Sequence, residues 1–309
     1  MTNASAYKTR RSTALAAAIS LLLVIGFWLN SQSATSRDNT LQTAVIPSTG
    51  DSNWRPWLKA SKIRVSAVAF YGRRRYVRIL DKYLKQNLIS AGGLLEEVLW
   101  IVRTDDPDDL DWLQQTLLPS EPKFYKSMQS SGKGFANHYR QLASDTYYIK
   151  LDDDIVYIKE GTIEAMLHEK LRSRFWIISA NVINHSVLTF VHAAMGAMQT
   201  YHQEARDELY KYDFGTWDLN AFKYERWSIN TIMFKGSDLN RELISEDDEL
   251  SISETLPKTK GKHCGAVGSA VVAHLAYVTQ RGARLEERTQ VLKRYGELAE
   301  MLTGPLLPI

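Results

Sequence analysis

Apolar and amphipathic stretches alternate along the chain from about residue 62 onward. Residues 63–71 (IRVSAVAFY) form an apolar, β-favouring run, which predicts a buried strand. The next apolar positions repeat at i, i+3, i+4, i+7 and i+8, as in an amphipathic helix, and they are Tyr76, Ile79, Leu80, Tyr83 and Leu84. This part of the chain is therefore predicted to be a strand followed by a helix.

The same alternation continues toward the C-terminus. Further strands are predicted at 99–102, 146–151 and 175–178, and a helix is predicted around 163–171. Asp106 and Pro107 mark another helix start, with the aspartate as N-cap and the proline at the first helical position. We therefore predict an α/β fold with a mainly parallel central sheet and flanking helices, and ligands bind such sheets outside the carboxyl ends of the strands.

Three consecutive acids, Asp152, Asp153 and Asp154, directly follow the predicted strand 146–151. Carboxylates at a strand end repel one another and lose hydration when they are enclosed, and a divalent cation offsets both costs. Residues i and i+2 can point the same way, so Asp152 and Asp154 are candidate ligands for Mn²⁺ or Mg²⁺, and Asp153 faces elsewhere or bonds a nucleoside sugar. The alternative is a solvated acidic turn.

The N-terminal region carries a pattern of its own. Residues 13–29 are apolar and uncharged, with Lys8, Arg10 and Arg11 before them, which is typical of a transmembrane signal anchor with a cytoplasmic tail at 1–12. Residues 30–60 are polar and predict a stem, which leaves 61–309 as the main folded domain. A cleaved signal peptide and a buried core helix are the alternatives for residues 13–29.

Charge and composition exclude several classes of protein. The chain has 38 Lys and Arg against 35 Asp and Glu, and the excess of three bases lies within the first eleven residues. The remainder is neutral, which argues against nucleic acid as a partner. The single cysteine, Cys264, excludes an intramolecular disulfide framework.

The segment YYIKLDDDIVYI resembles the metal-binding DxD segment of GT-A-type nucleotide-diphospho-sugar glycosyltransferases. The resemblance implies a Rossmann-like GT-A fold, Mn²⁺ (or Mg²⁺) as cofactor and a nucleotide-sugar donor. It also places the nucleotide at the end of the first predicted strand, at Tyr71, Gly72, Arg73 and Arg74. Gly72 allows close backbone approach and either arginine can pair with phosphate, although a solvated helix start is an equal alternative for the arginines.

Two later segments fit the same resemblance. The acidic run 246–249 resembles the xED motif of this family, which implies a catalytic base at Asp247 or Asp248, whereas a solvated cap or loop is the alternative. His274 follows a small-apolar run, and the family's late histidine implies that it completes the metal shell. His263 is the alternative ligand, and a core histidine is the alternative for His274.

These features together predict a metal-dependent glycosyltransferase, a single-pass type II membrane protein of the Golgi or endoplasmic reticulum. Its acceptor would be a glycan, a protein, a lipid or a small molecule. One rival is a haloacid-dehalogenase-type phosphatase, because Asp152-x-Asp154-x-Val156 also fits that nucleophile motif. The other is a non-catalytic binding or scaffold protein with the same fold.

Overall fold

The computed structural model describes residues 45–129, 137–184, 188, 192, 214–221, 223–275 and 284–309. The predicted tail, the apolar segment at 13–29 and the first part of the predicted stem lie outside these residues. Within the described part of the chain, no helix combines the length and the apolar character that crossing a bilayer requires. Residues Val45–Asn220 and Tyr224–Ile309 form one compact unit.

The N-terminal half of this unit is built on parallel strands. Its strands are β1 (Arg64–Tyr71), β2 (Glu97–Val102), β3 (Tyr125–Gln129) and β4 (Thr146–Leu151). Its helices are α1 (Trp54–Ser61), α2 (Arg74–Gln86), α3 (Pro107–Trp112) and, after a π-helical turn at Leu113–Leu117, α4 (Leu118–Ser120). Short 3₁₀ turns lie at Ile89–Ala91 and Tyr139–Gln141. Of these elements, β1, β2, β4, α2 and α3 lie close to predicted ones. Asp106 caps α3 by accepting from the backbone N–H groups of Asp108 and Asp109.

The C-terminal half contributes five strands, β5 (Ile155–Ile158), β6 (Ile178–Ile183), β7 (Thr216–Asp218), β8 (Thr231–Lys235) and β9 (Gly265–His274). Its helices are α5 (Thr162–Leu171), α6 (Gly236–Leu239), α7 (Asp248–Leu250), α8 (Leu256–Lys260), α9 (Leu285–Arg288) and α10 (Val291–Thr303). A π-helical turn at Ser251–Thr255 joins α7 to α8.

The sheet is mixed, which corrects the prediction of a mainly parallel sheet. The strand order is β3-β2-β1-β4-β8-β6-β9-β5, with β7 also paired to β9. Strand β8 runs antiparallel to β4 and β6, and both β5 and β7 run antiparallel to β9. The prediction was wrong because an apolar run indicates that a strand is buried but not which way it runs. In addition, only Asp152, Asp153 and Asp154 separate β4 from β5, too few residues for a crossover helix.

Side chains of β1 alternate between two cores, one on each face of the sheet. Val65, Ala67 and Tyr71 belong to the larger core, which includes α2. Val68 and Phe70 belong to the smaller core, which includes Leu256 of α8. Odd-numbered residues of β1 therefore face the larger core and even-numbered residues from Val68 onward face the smaller one.

Helix α1 lies within the segment that was assigned to the stem. Its Trp54 and Leu58 are buried in the larger core, and the Trp54 indole donates to the carbonyl oxygen of Ser48 at 2.8 Å. The packed part of the chain thus extends on the N-terminal side of residue 61. Its polar composition concealed an amphipathic helix of only eight residues.

Candidate active site

The three consecutive acids leave the carboxyl end of β4 in a turn that backbone hydrogen bonds fix. The N–H of Asp152 donates to the carbonyl oxygen of Asn230 at 2.9 Å, and the N–H of Ile155 donates back to the carbonyl oxygen of Asp152 at 3.3 Å. The carbonyl oxygen of Asp154 accepts from the N–H of Leu275 at 3.0 Å. The turn is therefore tied both to the start of β8 and to the end of β9.

A group of three potential metal ligands lies at this turn. One ligating atom each of Asp152, Asp154 and His274 falls within 4.8 Å of the others. Asp154 and His274 are buried, and the His274 Nε2 atom lies 3.2 Å from Oδ1 of Asp154. Two carboxylates and an imidazole, brought together where the sheet ends, form a donor set that can hold a divalent cation.

His274 is in place because β5 and β9 pair. Ile155, the residue after the acidic turn, lies opposite His274 in the antiparallel β5–β9 ladder. Asn184, which begins an Asn-His-Ser glycosylation sequence, donates its side-chain amide to the carbonyl oxygens of His274 and Leu275 at 3.1 and 3.0 Å. The alternative ligand His263 precedes the other end of β9, where its Nδ1 lies 2.6 Å from Asp218, so the structure does not bring it to this group.

Arg73 contacts two carboxylates of the turn, those of Asp153 and Asp154. Its Nε donates to Asp153 at 2.9 Å, its Nη2 donates to the second oxygen of the same carboxylate, and Nη2 also lies 3.0 Å from Oδ2 of Asp154. The structure therefore pairs Asp153, a predicted nucleotide contact, with one of the two arginines predicted to bind phosphate. The Arg73 side chain is one-third exposed.

Burial and pairing set the charges of this turn. Burial raises the pKa of Asp153 above its usual value in spite of the Arg73 guanidinium. Burial also acts to raise the pKa of Asp154, but the hydrogen bond and charge of His274 and the charge of Arg73 outweigh it, so that this pKa is lowered. Asp154 is therefore ionised at neutral pH, which is the form of a carboxylate that binds a cation.

The remaining predicted nucleotide contacts have different surroundings. Tyr71 is fully buried on the face of β1 that carries the larger core, where it stacks on Trp112 and donates to the carbonyl oxygen of Asp109. Arg74 forms an ion pair with the Asp109 carboxylate. Gly72 lies against the acidic turn, since a Cβ placed on it would sit 3.6 Å from Oδ2 of Asp153. Of these three, Gly72 is the one that the structure places next to the acids.

The two candidate catalytic acids, Asp247 and Asp248, have different surroundings in the structure. Asp247 is exposed and caps α7, with one oxygen accepting from the Leu250 N–H at 3.0 Å and the other from Arg226 at 2.7 Å. These bonds, first of all the one from Leu250, lower its pKa. Its carboxylate is thus already committed to the helix cap and to Arg226.

Asp248 is instead buried. Its Oδ2 accepts from the Tyr139 hydroxyl at 3.0 Å. Burial raises its pKa, and the charges of Lys150 and Asp152 act on it as well. The two acids thus differ in both burial and the direction of their pKa shift, and Asp248 is the one whose pKa is raised.

Sequence reasoning missed several residues that support these acids. The Lys150 ammonium donates to the Asp152 carboxylate, and the Asn230 side-chain amide donates to the other oxygen of that carboxylate at 2.9 Å. The contact of Lys150 with Asp152 could have been predicted from the strand pattern, because side chains two positions apart in a strand point to the same side. Asn230 and Tyr139 are remote in sequence from Asp152, and no local pattern marks either of them.

Comparison with known proteins reveals similarity at the level of the fold. The sequence matches no protein-family model and no curated protein. The mannosyltransferase PcManGT from Pyrobaculum calidifontis, solved with GDP-Man and Mn²⁺, aligns with a TM-score of 0.51 at 13% identity, over 96% of this chain and 76% of that one. This likeness confirms the predicted GT-A-like fold and shows the fold alone.

Two further solved structures align less closely. Glucosyl-3-phosphoglycerate synthase from Mycobacterium tuberculosis, with Mn²⁺, UDP and phosphoglyceric acid, gives a TM-score of 0.48 at 13% identity, over 82% of this chain and 85% of that one. GalNAc-T7 with UDP, GalNAc and Mn²⁺ also gives 0.48, at 12% identity and over 69% of this chain. The alignment covers 44% of the GalNAc-T7 chain, so this chain spans less than half of that protein.

Proposed function

We propose that the protein is a metal-dependent glycosyltransferase that moves a sugar from a nucleotide-diphospho-sugar to an acceptor hydroxyl. One observation carries the proposal: Asp152, Asp154 and His274 bring their ligating atoms within 4.8 Å of one another at the carboxyl end of the central strand of a GT-A-like fold. Mannosyltransferase PcManGT, which has a similar fold, was solved with GDP-Man and Mn²⁺, and this supports Mn²⁺ and a nucleotide sugar for this chain as well.

In this proposal each residue of the acidic turn has a separate task. Asp152, Asp154 and His274 hold the cation, which when bound stabilises the charge that develops on the departing diphosphate. Arg73 pairs with both Asp153 and Asp154, and its partly exposed side chain also donates to phosphate oxygens. Gly72 leaves room for the nucleotide to approach the backbone beside Asp153.

We assign the general base to Asp248 rather than Asp247. The Asp248 carboxylate is buried, has a raised pKa and is within range of the charges of Asp152 and Lys150. In a transfer that inverts the anomeric centre it would accept the proton of the acceptor hydroxyl, and in a retaining transfer it would have another role. Donor sugar, acceptor class and stereochemistry stay open within this proposal.

We also propose that the apolar segment at 13–29 anchors the protein as a single-pass type II membrane protein, with the catalytic domain in the lumen of the Golgi or endoplasmic reticulum. The support is the sequence pattern of a basic flank followed by an uncharged apolar run. Protease protection of an epitope at the C-terminus, in sealed microsomes from expressing cells, tests this part separately. Digestion of the epitope in intact vesicles would contradict it.

The experiment for the catalytic proposal combines metal and nucleotide titrations. Calorimetry with Mn²⁺ and UDP or GDP should show that metal and nucleotide strengthen each other's binding. Asp152→Asn and Asp154→Asn should each abolish that coupling, whereas Asp111→Asn, a change at an exposed acid of α3, should not. Unchanged binding in both site variants would refute the metal assignment.

Turnover distinguishes the proposal from its two rivals. A panel of UDP- and GDP-sugars, incubated with Mn²⁺, should contain a donor whose hydrolysis depends on Asp152 and Asp154. Hydrolysis of p-nitrophenyl phosphate without hydrolysis of any nucleotide sugar would favour the phosphatase. Linked binding without turnover of any donor would favour the scaffold protein.

A further inference from the structure

Tyr76, in the first turn of α2, has the guanidinium groups of two arginines against its ring. The Cζ atom of Arg73 lies 5.0 Å from the ring centre, and the Cζ atom of Arg75 lies 4.7 Å from it. The tyrosine is fully buried. A positive charge over an aromatic ring is attracted by the electrons of the ring, and this attraction is stronger where water is excluded. Tyr76 thus contacts the arginine that pairs with the acidic turn.

The Tyr76 hydroxyl is bound by a distant part of the chain. It donates to one carboxylate oxygen of Glu286 in α9, 210 positions away in sequence, and it accepts from Nη2 of Arg75 at 2.9 Å. The same Nη2 atom lies 3.2 Å from the second oxygen of the Glu286 carboxylate, and the Glu286 side chain is only one-tenth exposed. The position of the ring is therefore determined by α9 as well as by α2.

The two arginines on the ring have different partners. Arg75 is half-exposed and pairs with Glu286. Arg73 is one-third exposed, and its Nε donates to Asp153 at 2.9 Å. A guanidinium group is planar, so one of its faces can pack on an aromatic ring while its edges donate hydrogen bonds. The Tyr76 ring thus limits the movement of Arg73 without competing for the hydrogen bonds that Arg73 donates.

We propose that Tyr76 is a positioning residue, which holds the Arg73 guanidinium at the acidic turn and is itself held by Glu286. The proposal rests on the function proposed above, since it gives Arg73 the role of binding the phosphates of the donor. Helix α9, which follows β9 in the chain, then contributes to donor binding through Glu286 and Tyr76.

A tyrosine that merely filled the core would behave differently, because its replacement would lower the stability of the fold and leave Arg73 in place. Loss of the Tyr76 ring should instead release the Arg73 side chain, so that the Nε proton of Arg73 exchanges with water about tenfold faster. UDP and GDP should also bind about tenfold more weakly, and this loss should disappear when Arg73 is already absent, because the ring acts through that arginine.

The test compares Tyr76→Leu, which removes the ring, with Tyr76→Phe, which removes only the hydroxyl. NMR of the arginine Nε–H groups follows Arg73 in the protein without metal or nucleotide, with Arg73→Met to assign the signal. Calorimetry with UDP or GDP in the presence of Mn²⁺ measures binding in Tyr76→Leu, in Arg73→Met and in the double variant.

Tyr83→Leu is the matched control for the loss of the ring. Tyr83 is also buried and also lies on α2, but its ring contacts that of Tyr157, and its hydroxyl has no hydrogen-bond partner among the described residues. Its replacement should lower the stability of the fold and leave both the exchange at Arg73 and the nucleotide affinity unchanged.

Glu286 is tested with the same NMR signal. Glu286→Ala removes the acceptor of the Tyr76 hydroxyl, so exchange of the Arg73 Nε proton should be faster, though by less than in Tyr76→Leu. Tyr76→Phe should have an effect of similar size, and combining the two changes should add little, since both remove the same bond. Glu297→Ala is the control, because Glu297 is an exposed acid of α10 that lies 3.7 Å from Lys293, and its loss should change nothing at Arg73.

Unchanged exchange at Arg73 in Tyr76→Leu, an equal change in Tyr83→Leu, or additive losses of nucleotide affinity in the double variant of Tyr76 and Arg73 would each overturn the proposal. If Tyr76→Leu does not fold, Tyr76→Phe and Glu286→Ala decide, because exchange at Arg73 that neither of them changes contradicts the proposal. The NMR measurement needs no nucleotide, so failure of the glycosyltransferase assignment would show separately, as a lack of linked Mn²⁺ and nucleotide binding in the unmodified protein.

Discussion

The guanidinium group of Arg73 lies 3.0 Å from a carboxylate oxygen of Asp154, while it also donates to both oxygens of Asp153. One positive charge from the start of α2 is thus shared by two adjacent acids at the end of β4. Burial acts to lower the pKa of Arg73, but the hydrogen bond to Asp153 and the charges of both acids outweigh it and raise that pKa. The pairing therefore offsets part of the repulsion between these two acids.

Replacing Arg73 should destabilise the protein, and Mn²⁺ should compensate in part. Arg73→Met leaves two buried carboxylates without their shared cation, and the free energy of unfolding should fall by about 2 kcal/mol, since the arginine is one-third exposed. Added Mn²⁺ should raise the melting temperature of this variant by more than it raises that of the unmodified protein, because the metal supplies the missing positive charge. Urea unfolding in EDTA and thermal unfolding with Mn²⁺ measure the two effects.

Arg64→Met is the control for Arg73. Arg64 pairs with Glu96 at 3.2 Å on the surface, where both side chains are exposed. Its loss should change the free energy of unfolding by about 0.5 kcal/mol or less, with no dependence on Mn²⁺. Equal stabilities of the two variants would show that Arg73 does not hold the turn together.

The two histidines at the ends of β9 provide a second test. His274→Ala should weaken Mn²⁺ binding by at least about tenfold, because it removes one ligand of the proposed three. His263→Ala, at the far end of the same strand and paired with Asp218, should leave Mn²⁺ affinity unchanged. Calorimetric titration of both variants decides between them, and a loss of affinity in His263→Ala alone would return His263 to the ligand set.

Two glycines test whether the nucleotide approaches the backbone beside the acidic turn. Gly72→Ala should fold normally, because the added methyl group would be 3.6 Å from Asp153 Oδ2, an ordinary contact distance. It should nevertheless weaken UDP or GDP binding by about tenfold, since it fills the space beside Asp153. Thermal unfolding and nucleotide titration measure the two effects.

Gly236→Ala is the control, and it should lower the stability of the fold. A Cβ at Gly236 would lie 1.9 Å from the carbonyl oxygen of Ala143, so the backbone has to move and stability should fall by several kcal/mol. If Gly72→Ala bound nucleotide as tightly as the unmodified protein, the nucleotide would not approach the backbone at this position.

How much of the site was predictable depended on how far apart its members lie in sequence. Asp152, Asp153 and Asp154 are consecutive and follow an apolar run, so their place at a strand end could be read from the pattern alone. Parity along a strand would also have predicted the burial of Tyr71, which shares the larger-core face of β1 with Val65, Ala67 and Ala69. The resemblance implies that the nucleotide binds at Tyr71–Arg74, and the structure places the ring of Tyr71 in the larger core.

Other parts of the site depended on information that no local pattern contains. The register of the acidic run 246–249 is decided by the N-cap of α7, which commits Asp247 to the Leu250 N–H and turns Asp248 inward to Tyr139. The direction of β8 decides that Asn230 meets Asp152. Strand direction and side-chain burial are properties of the assembled sheet, so they appear only with the tertiary structure.

The last prediction concerns the cost of keeping Asp248 as a buried acid. Burial raises the pKa of Asp248, so this carboxyl group binds its proton more tightly in the folded protein than in the unfolded chain. Its contribution to stability is therefore complete below the unfolded pKa of about 4 and is lost as the pH rises through the folded pKa. Asp248→Asn removes this loss, so we expect the variant to be more stable than the unmodified protein at pH 7 and the difference to vanish toward pH 4.

The same substitution should abolish the proposed chemistry. Donor turnover should fall by about 100-fold or more in Asp248→Asn, because a general base contributes an effect of that order.

Asp247→Asn is the control, and its effect on stability should have the opposite sign. The Leu250 hydrogen bond and Arg226 lower the pKa of Asp247, so the contribution of this carboxylate to stability is present at pH 7 and is lost as the pH falls through the folded pKa. That variant should be slightly less stable at pH 7 and should retain its turnover. Denaturant unfolding at several pH values, with turnover measured on the same preparations, tests both variants, and a loss of turnover in Asp247→Asn with Asp248→Asn unaffected would move the base to Asp247.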